Sequence, residues 1–293
     1  MSVTDQAGFV LIDKPQGTTS HGVVAAMRRI AGTKKVGHGG TLDPMATGLL
    51  VIAIGKATKL LTYVSGSSKT YVATVRLGQA TTTDDAEGDV VSTAPVSDVT
   101  ETRLRSALER LVGEVDQVPS AVSAVKVDGK RAYQRVRDGE EVRLKSRRVT
   151  IHSLEVHRIR RGEFLEADLT VTCSSGTYVR AIARDVGEEL GVGGHLTALR
   201  RRSIGPFELG DAHTLEELKE FDSLPVLSMS DSAAELLPTV TVDDAERRKI
   251  GYGQAVAPRG VAGPYAVLDS HKALLAVGRD QGNRLKTDFV VPQ

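Results

Sequence analysis

The order of apolar and polar positions divides the chain into short elements of two kinds. Phe9-Val10-Leu11-Ile12 is an unbroken apolar run closed by Asp13-Lys14-Pro15-Gln16-Gly17, which reads as a strand ending in a turn. Beyond it, Val23, Val24, Met27 and Ile30 recur at helical spacing, predicting a helix with Ser20 as its N-cap and Gly32 just past its end. Residues 49–54 form a second solid apolar run of buried-strand length. Residues 71–77 alternate instead, with Tyr71, Ala73, Val75 and Leu77 on one face and Val72, Thr74 and Arg76 on the other. A helical pattern covers 102–111, and alternation returns over 165–173. Ser174-Ser175-Gly176-Thr177 breaks it ahead of a helix that turns Val179, Ile182, Ala183, Val186 and Leu190 inward. Val125-Lys126-Val127 running into Asp128-Gly129 predicts a tight hairpin turn.

After Pro238 the texture changes to short valine- and glycine-rich strands, among them 265–268 and 274–277, broken by turns such as Pro258-Arg259-Gly260. This places a boundary near residue 236, giving a larger domain over 1–236 and a small β module over 237–293. The mixture of elements is that of an α+β protein. With 293 residues, 40% of them hydrophobic, the chain can form about two domains and bury a substantial core. No apolar run approaches membrane-spanning length and no basic, apolar leader opens the chain, so the expectation is a cytoplasmic protein with no membrane partner.

The net charge of +1 is uninformative, but its distribution is not. Residues 126–148 carry nine basic and four acidic side chains; Arg158, Arg160 and Arg161 follow, then Arg200, Arg201 and Arg202. Solvated faces and a polyanion-binding surface both fit such clusters. The single cysteine, Cys173, lies in an alternating run and reads as a buried structural thiol. It excludes a disulfide framework and a thiolate zinc site. Gly48 and Gly55-Lys56 have six residues between the glycines where a phosphate-cradling loop needs four, and no G-x-G-x-x-G opens a helix. His152 and His157 sit in a strand pattern without ligand spacing. No cofactor and no metal is therefore expected.

Two residues resist a bland explanation together. Asp43 precedes Pro44, whose ring pushes it out of helical space, inside the glycine-rich stretch 37–55. A cap or a turn would account for it alone. Arg180 falls in the first turn of a helix, where the dipole disfavours a cation unless an anion from elsewhere meets it.

The stretch "GHGGTLDPMATGLLVIAIGKATK", with "LIDKPQGTTSH" before it and "SKTYVATVRLGQATTTDDAEG" after it, resembles the bacterial tRNA pseudouridine synthase B (TruB) family. "SAVKVDGKRAYQRVRDGEEV", "CSSGTYVRAIARDVG" and "GGHLTALRRRSIG" continue the resemblance in order over nearly all of the first 210 residues. Gly39 stands where Ala or Thr is commoner, which is expected to loosen its loop, and Pro119-Ser120 replaces a frequent double proline.

The resemblance implies a pseudouridine synthase fold, a mixed and largely antiparallel sheet flanked by helices, with a C-terminal PUA-like RNA-binding module. It implies isomerisation of the T-loop uridine at tRNA position 55, after the base is flipped out of its stack. Asp43 then matches the catalytic aspartate and His38 the histidine that helps hold the flipped nucleotide. Tyr71 matches the tyrosine that stacks on uracil, Tyr178 the tyrosine of the uracil pocket, Arg180 the arginine paired with the aspartate, and Leu199 the apolar wall. The basic segment at about 120–150 and the Arg200 cluster would grip RNA. The implied partner is the T-arm of tRNA, bound by a monomer without guide RNA. A ribosomal-RNA synthase is disfavoured by Thr41 and Pro44. A tRNA chaperone without chemistry would have no need of Asp43 with Arg180.

Overall fold

The computed structural model describes residues 7–120 and 144–291, together with the backbone of 126–127 and 130–131. The chain begins with β1 (Gly8–Lys14), α1 (Ser20–Ile30), β2 (Val36–His38) and β3 (Thr47–Ile54). A 3-10 segment (Gly55–Leu60) and α2 (Leu61–Gly66) lead to β4 (Lys69–Leu77). The hairpin of β5 (Gln79–Thr81) and β6 (Val90–Thr93) precedes α3 (Glu101–Glu109) and β7 (Gly113–Gln117). β8 (Lys126–Val127) and β9 (Lys130–Arg131) pair across Asp128-Gly129, which lies outside the described residues. Then come β10 (Arg147–Arg161), β11 (Leu165–Cys173), α4 (Val179–Glu189), β12 (Gly194–Ile204) and β13 (Phe207–Glu208). α5 (Glu217–Glu220), β14 (Leu227–Ser228) and α6 (Met229–Leu236) complete the larger part. The last part holds β15 (Thr239–Thr241), α7 (Asp244–Gly251), β16 (Pro264–Leu268), β17 (Leu274–Gln281) and β18 (Arg284–Val290).

The two hydrophobic patterns correspond to two environments. In β1 and β3 successive side chains enter different cores. Phe9, Leu11, Leu49, Val51 and Ala53 join one cluster, while Val10, Ile12, Leu50 and Ile52 join another beneath Val23, Val24 and Met27 of α1. A strand covered on both faces has no polar side to show, which is why these runs are solidly apolar. In β4 and β11 only one face is covered, by α3 and α4. Tyr71, Ala73, Val75 and Leu77 are buried there and the residues between them are not, so these strands alternate.

The main sheet has the order β14-β1-β3-β12-β4-β11-β10-β7, with β2 beside β3 and β13 beside β12. Its pairings are antiparallel except that of β12 with β3, where Arg200 faces Thr47 and Arg201 faces Gly48. Gly48 adopts φ +99°, and a Cβ added there would stand 2.3 Å from the Arg201 carbonyl oxygen. Only glycine lets the two backbones meet at this point. β12 thereby lies between β3 and β4, and its register carries Leu199 and Arg201 beside Ala73 and Tyr71.

Three expectations are corrected. The cap of α1 is Thr19, whose hydroxyl accepts from the Gly22 N–H at 2.9 Å; Ser20 is instead buried and turned toward Leu42. The arginines at 200–202 are not a free basic cluster: Arg200 pairs with Asp13 at 2.6 Å and Arg201 is fully buried, leaving Arg202 exposed. Of the earlier trio, Arg160 pairs with Asp168 and Glu166, and Arg161 donates to the Val99 carbonyl. The basic segment 126–148 lies largely outside the described residues.

The four-stranded sheet β15-β16-β17-β18 has its own core around Val242, Ile250, Tyr265 and Leu275. Its other face contributes Ala266, Leu268, Leu274 and Val277 to the same cluster as Phe9, Leu49, Val51, Leu60 and Val64. It is therefore fused to the larger part through apolar packing. At the rim of that contact Tyr63 donates to Asp288 at 2.9 Å, and Lys59 lies over the Phe289 ring.

Candidate active site

Asp43 sits in a loop tied down on both sides. Before it, the Ser20 hydroxyl accepts from the Leu42 N–H at 2.8 Å and donates to the Leu42 carbonyl at 3.0 Å. After it, the Pro44 carbonyl accepts from the Gly17 N–H at 2.8 Å, and Leu42, Met45 and Ala46 are buried in the core. No helix starts at Pro44; the Asp43 carbonyl accepts from Ala46 N–H at 3.1 Å, closing a turn into β3. The backbone of Asp43 serves a turn while its side chain is left for another purpose. Gly39, expected to loosen this loop, is packed closely: a Cβ there would stand 2.3 Å from Val64 Cγ1.

That purpose is met by Arg180 in the first turn of α4. Its Nε lies 3.0 Å from Asp43 Oδ2 and its Nη1 lies 3.3 Å from Asp85 Oδ2. Nη1 also donates to the Thr83 carbonyl at 2.7 Å. Arg180 and Asp85 are 3% and 4% exposed at the side chain, whereas Asp43 is 36% exposed, so the triad ends in a reachable carboxylate. Two anions offset the cost of placing a buried cation against the helix dipole. Asp85 is itself fixed, accepting from the Thr83 hydroxyl and from the Glu87 N–H at 3.1 Å.

A cavity of about 230 Å³ opens beside this triad, lined by Asp43, Tyr71, Tyr178, Arg180, Leu199, Lys69, Arg201 and the adjoining loop backbone. Five of the six candidate residues read from the sequence thus line one cavity. His38 does not: it lies on β2 opposite Ile52, with its ring edge-on to His21 at 5.4 Å. Tyr178 is held at the N-cap of α4 by Gln117, which donates to its carbonyl at 3.1 Å and accepts from its N–H at 2.8 Å. Burial raises the Tyr71 hydroxyl above its ordinary range, and the hydrogen-bonded Arg201 guanidinium opposes that shift.

Three buried cations surround the loop; the sequence offers no sign of Lys14 or Lys69, and Arg201 stands out there only as part of a basic cluster. Lys14 donates to the carbonyls of Thr18 at 2.7 Å, Pro15 at 2.9 Å and Pro44 at 3.4 Å. Burial pushes it down to about 8, against the attraction of Asp43. Lys69 donates to the Ser67 carbonyl at 2.7 Å and the Ser65 carbonyl at 3.0 Å, and burial with the nearby Arg201 pushes it down to about 8. Arg201 donates to the carbonyls of Leu49 at 2.7 Å, Gly40 at 3.0 Å and Thr41 at 3.5 Å. Asp85 was also missed, although the acidic run Asp84-Asp85-Ala86-Glu87 was a visible signal.

The cavity presents one partly exposed carboxylate paired with a guanidinium, an aromatic face, and apolar and cationic walls. Such a set can attack carbon or remove a proton beside a bound planar ring. Among the described residues no group of His, Cys, Asp and Glu could hold a metal ion, and no helix is long and apolar enough to cross a membrane. Cys173 is buried, and burial pushes its thiol up to about 11, so it stays protonated.

Comparison with known proteins agrees in family. "TruB family pseudouridylate synthase (N terminal domain)" matches residues 28–179. "tRNA pseudouridylate synthase B C-terminal domain" matches 180–224, and "tRNA Pseudouridine synthase II, C terminal" matches 237–292. The tRNA pseudouridine synthase B of Arthrobacter sp. (strain FB24) is 53% identical over 97% of this chain and 96% of its own length. That of Paenarthrobacter aurescens (strain TC1) is 55% identical over 97% of this chain and 94% of its own. The solved "Crystal Structure of a Cbf5-Nop10-Gar1 Complex" superposes with a TM-score of 0.75 at 26% identity, covering 99% of this chain and 86% of that one. The fold is thus the pseudouridine synthase fold, a large and mostly antiparallel sheet with helices and a smaller C-terminal sheet. The chain belongs to the TruB family of pseudouridylate synthases.

Proposed function

We propose that the protein isomerises uridine to pseudouridine at position 55 in the T loop of tRNA, flipping the base into the cavity beside Asp43. The observation that carries this reading is the ion pair of a partly exposed Asp43 with a buried Arg180 at the edge of an aromatic-lined cavity. At about 230 Å³ the cavity is smaller than the roughly 300–1,000 Å³ of drug-sized sites and suits a single base.

In this reading Asp43 is the catalytic group, held in place by its ion pair with Arg180 at 3.0 Å. Tyr71 and Leu199 replace the stacking that the flipped base loses, with aromatic stacking worth about 1–3 kcal/mol. Tyr178 closes the uracil pocket. His38, outside the cavity, helps hold the flipped nucleotide. Recognition rests on T-arm shape and phosphate contacts from 126–148, Arg202 and the module at 237–293, so binding weakens steeply with salt. The protein acts in the cytoplasm as a monomer and without guide RNA. In support, the relatives at 53% and 55% identity are named tRNA pseudouridine synthase B, whereas identity to the Cbf5 complex is 26%.

The test is Asp43→Asn with tRNA tritiated at uracil C5. Asparagine preserves the turn before Pro44 but carries no negative charge. The expected result is retained tRNA binding with no tritium release. Release near the wild-type rate by a purified variant free of host enzyme would refute the assignment.

A further inference from the structure

The cavity holds more buried positive charge than its carboxylates match. Arg180 is met by both Asp43 and Asp85. Lys69 and Arg201, 7% and 0% exposed, line the same cavity. Their hydrogen bonds go to main-chain carbonyls and, from Arg201, to the Tyr71 hydroxyl; neither forms an ion pair with a carboxylate among the described residues. Two buried like charges repel, and each loses its hydration. Tying Ser65, Ser67 and Leu49 in place needs hydrogen-bond donors but no charge. An arrangement of this kind carries a cost that falls when negative charge enters the cavity.

We propose that Lys69 and Arg201 form a cationic wall that stabilises the anion developed on the uracil ring when its bond to ribose breaks. The inference rests on the isomerase reading above. Cleavage of C1′–N1 leaves the bonding pair on the base, so the detached ring is an anion with its charge shared among N1, O2 and O4. C1′ is meanwhile bonded to an Asp43 oxygen, or has lost a neighbouring ribose proton to that oxygen. The ring then turns, and a new bond forms from C5 to C1′ with the ring's own electron pair. In the first route the Asp43–C1′ bond breaks as it forms; in the second the proton returns to the ribose. The C5 proton leaves and N1 takes one up, so nothing is oxidised or reduced. Cations fixed in a dry wall before the charge appears need no reorganisation when it does, and their effect is larger than it would be in water.

The experiment compares uridine with 5-fluorouridine at the target position of a T-arm RNA. Fluorine withdraws electrons and stabilises the ring anion by itself, so it lessens the need for the wall. Lys69→Gln keeps two amide protons for the Ser65 and Ser67 carbonyls and deletes the charge. Its single-turnover rate on uridine at saturating RNA is expected to fall on the order of 10- to 100-fold with the dissociation constant unchanged. On 5-fluorouridine, followed by consumption of the starting nucleotide, the loss relative to wild type is expected to be clearly smaller. Lys69→Arg, which restores the charge, should run faster than Lys69→Gln on uridine. If Lys69→Gln fails to melt cooperatively, Lys69→Met carries the same comparison. Equal loss on both substrates, no loss on uridine, or no recovery with arginine would overturn the wall. A wild-type protein that leaves uridine unchanged would instead sink the isomerase reading, which separates the two failures.

Discussion

At the scale of single residues, Arg180 is the side chain whose chemistry is least replaceable by its nearest analogue. Separate nitrogens of one planar guanidinium meet Asp43 and Asp85 at 3.0 and 3.3 Å. An ammonium is a point charge and cannot hold both carboxylates in that geometry. Arg180→Lys is therefore expected to lower the single-turnover rate on the order of 10-fold or more while leaving tRNA affinity nearly unchanged, as read by parallel rate and filter-binding measurements. A wild-type rate would make Arg180 structural only. The pairing was half legible in sequence. A cation against a helix dipole signals a missing anion, but nothing local says that two anions answer it, one of them 95 residues upstream in Asp85. The burial of Lys14, Lys69 and Arg201 was not legible for a related reason. Burial of a cation is decided by carbonyls brought in from Pro44, Ser65 and Leu49, and a lysine or arginine in a string of letters reads as solvated.

At the scale of elements, the Asp43 loop depends on α1 more than a surface turn would. The Ser20 hydroxyl answers both backbone groups of Leu42 from the first residue of that helix. Ser20→Ala leaves a buried N–H and a buried carbonyl without that partner, each costing about 1–3 kcal/mol. The expected result is a loss of roughly 2–6 kcal/mol in denaturant unfolding together with a reduced catalytic rate, because the lost bonds adjoin Asp43. A stability change without a rate change would show the loop to be held by its core residues alone. The error over this cap is instructive. Thr19 and Ser20 are both good capping residues, and which one caps depends on where Leu42 lies. The strands were easier, since a run covered on two faces and one covered on a single face leave different patterns in any chain.

At the scale of the whole molecule, the boundary near residue 236 suggests a tail that could be removed at a cost in RNA binding alone. The shared core argues otherwise. Leu274 and Val277 of β17 pack in one cluster with Leu49 and Val51 of β3. Leu274→Ala is expected to destabilise the protein by about 2–5 kcal/mol in a single transition that includes the larger part. Two separated transitions, with the larger part unaffected, would show independent domains. Burial also ties stability to alkaline pH. Lys14 and Lys69 are held at about 8 against an ordinary 10.5, so below about 8 the folded state carries the full cost of two buried charges. Between 8 and 10.5 the unfolded chain binds more protons than the native one, and the contribution of these two lysines to stability rises with pH. Replacing Lys69 with Met removes its share of the cost. The stability of Lys69→Met relative to wild type should therefore fall between pH 7 and pH 10, measured by denaturant midpoints. A constant difference would mean that Lys69 titrates in its usual range.

The place of β12 between β3 and β4 also sets a schedule for synthesis. Those two strands leave the ribosome early and close together, yet the strand that joins them is made only after everything between Leu77 and Gly194. At about 5–20 residues per second that interval is roughly 6–23 s. Throughout it, the edge of β4 that β12 will cover stays unpaired, and so does the Thr47–Gly48 end of β3. Arg201 and Leu199 travel on that late strand. The cavity beside Asp43 is therefore completed only when β12 docks, and a half-made chain lacks it.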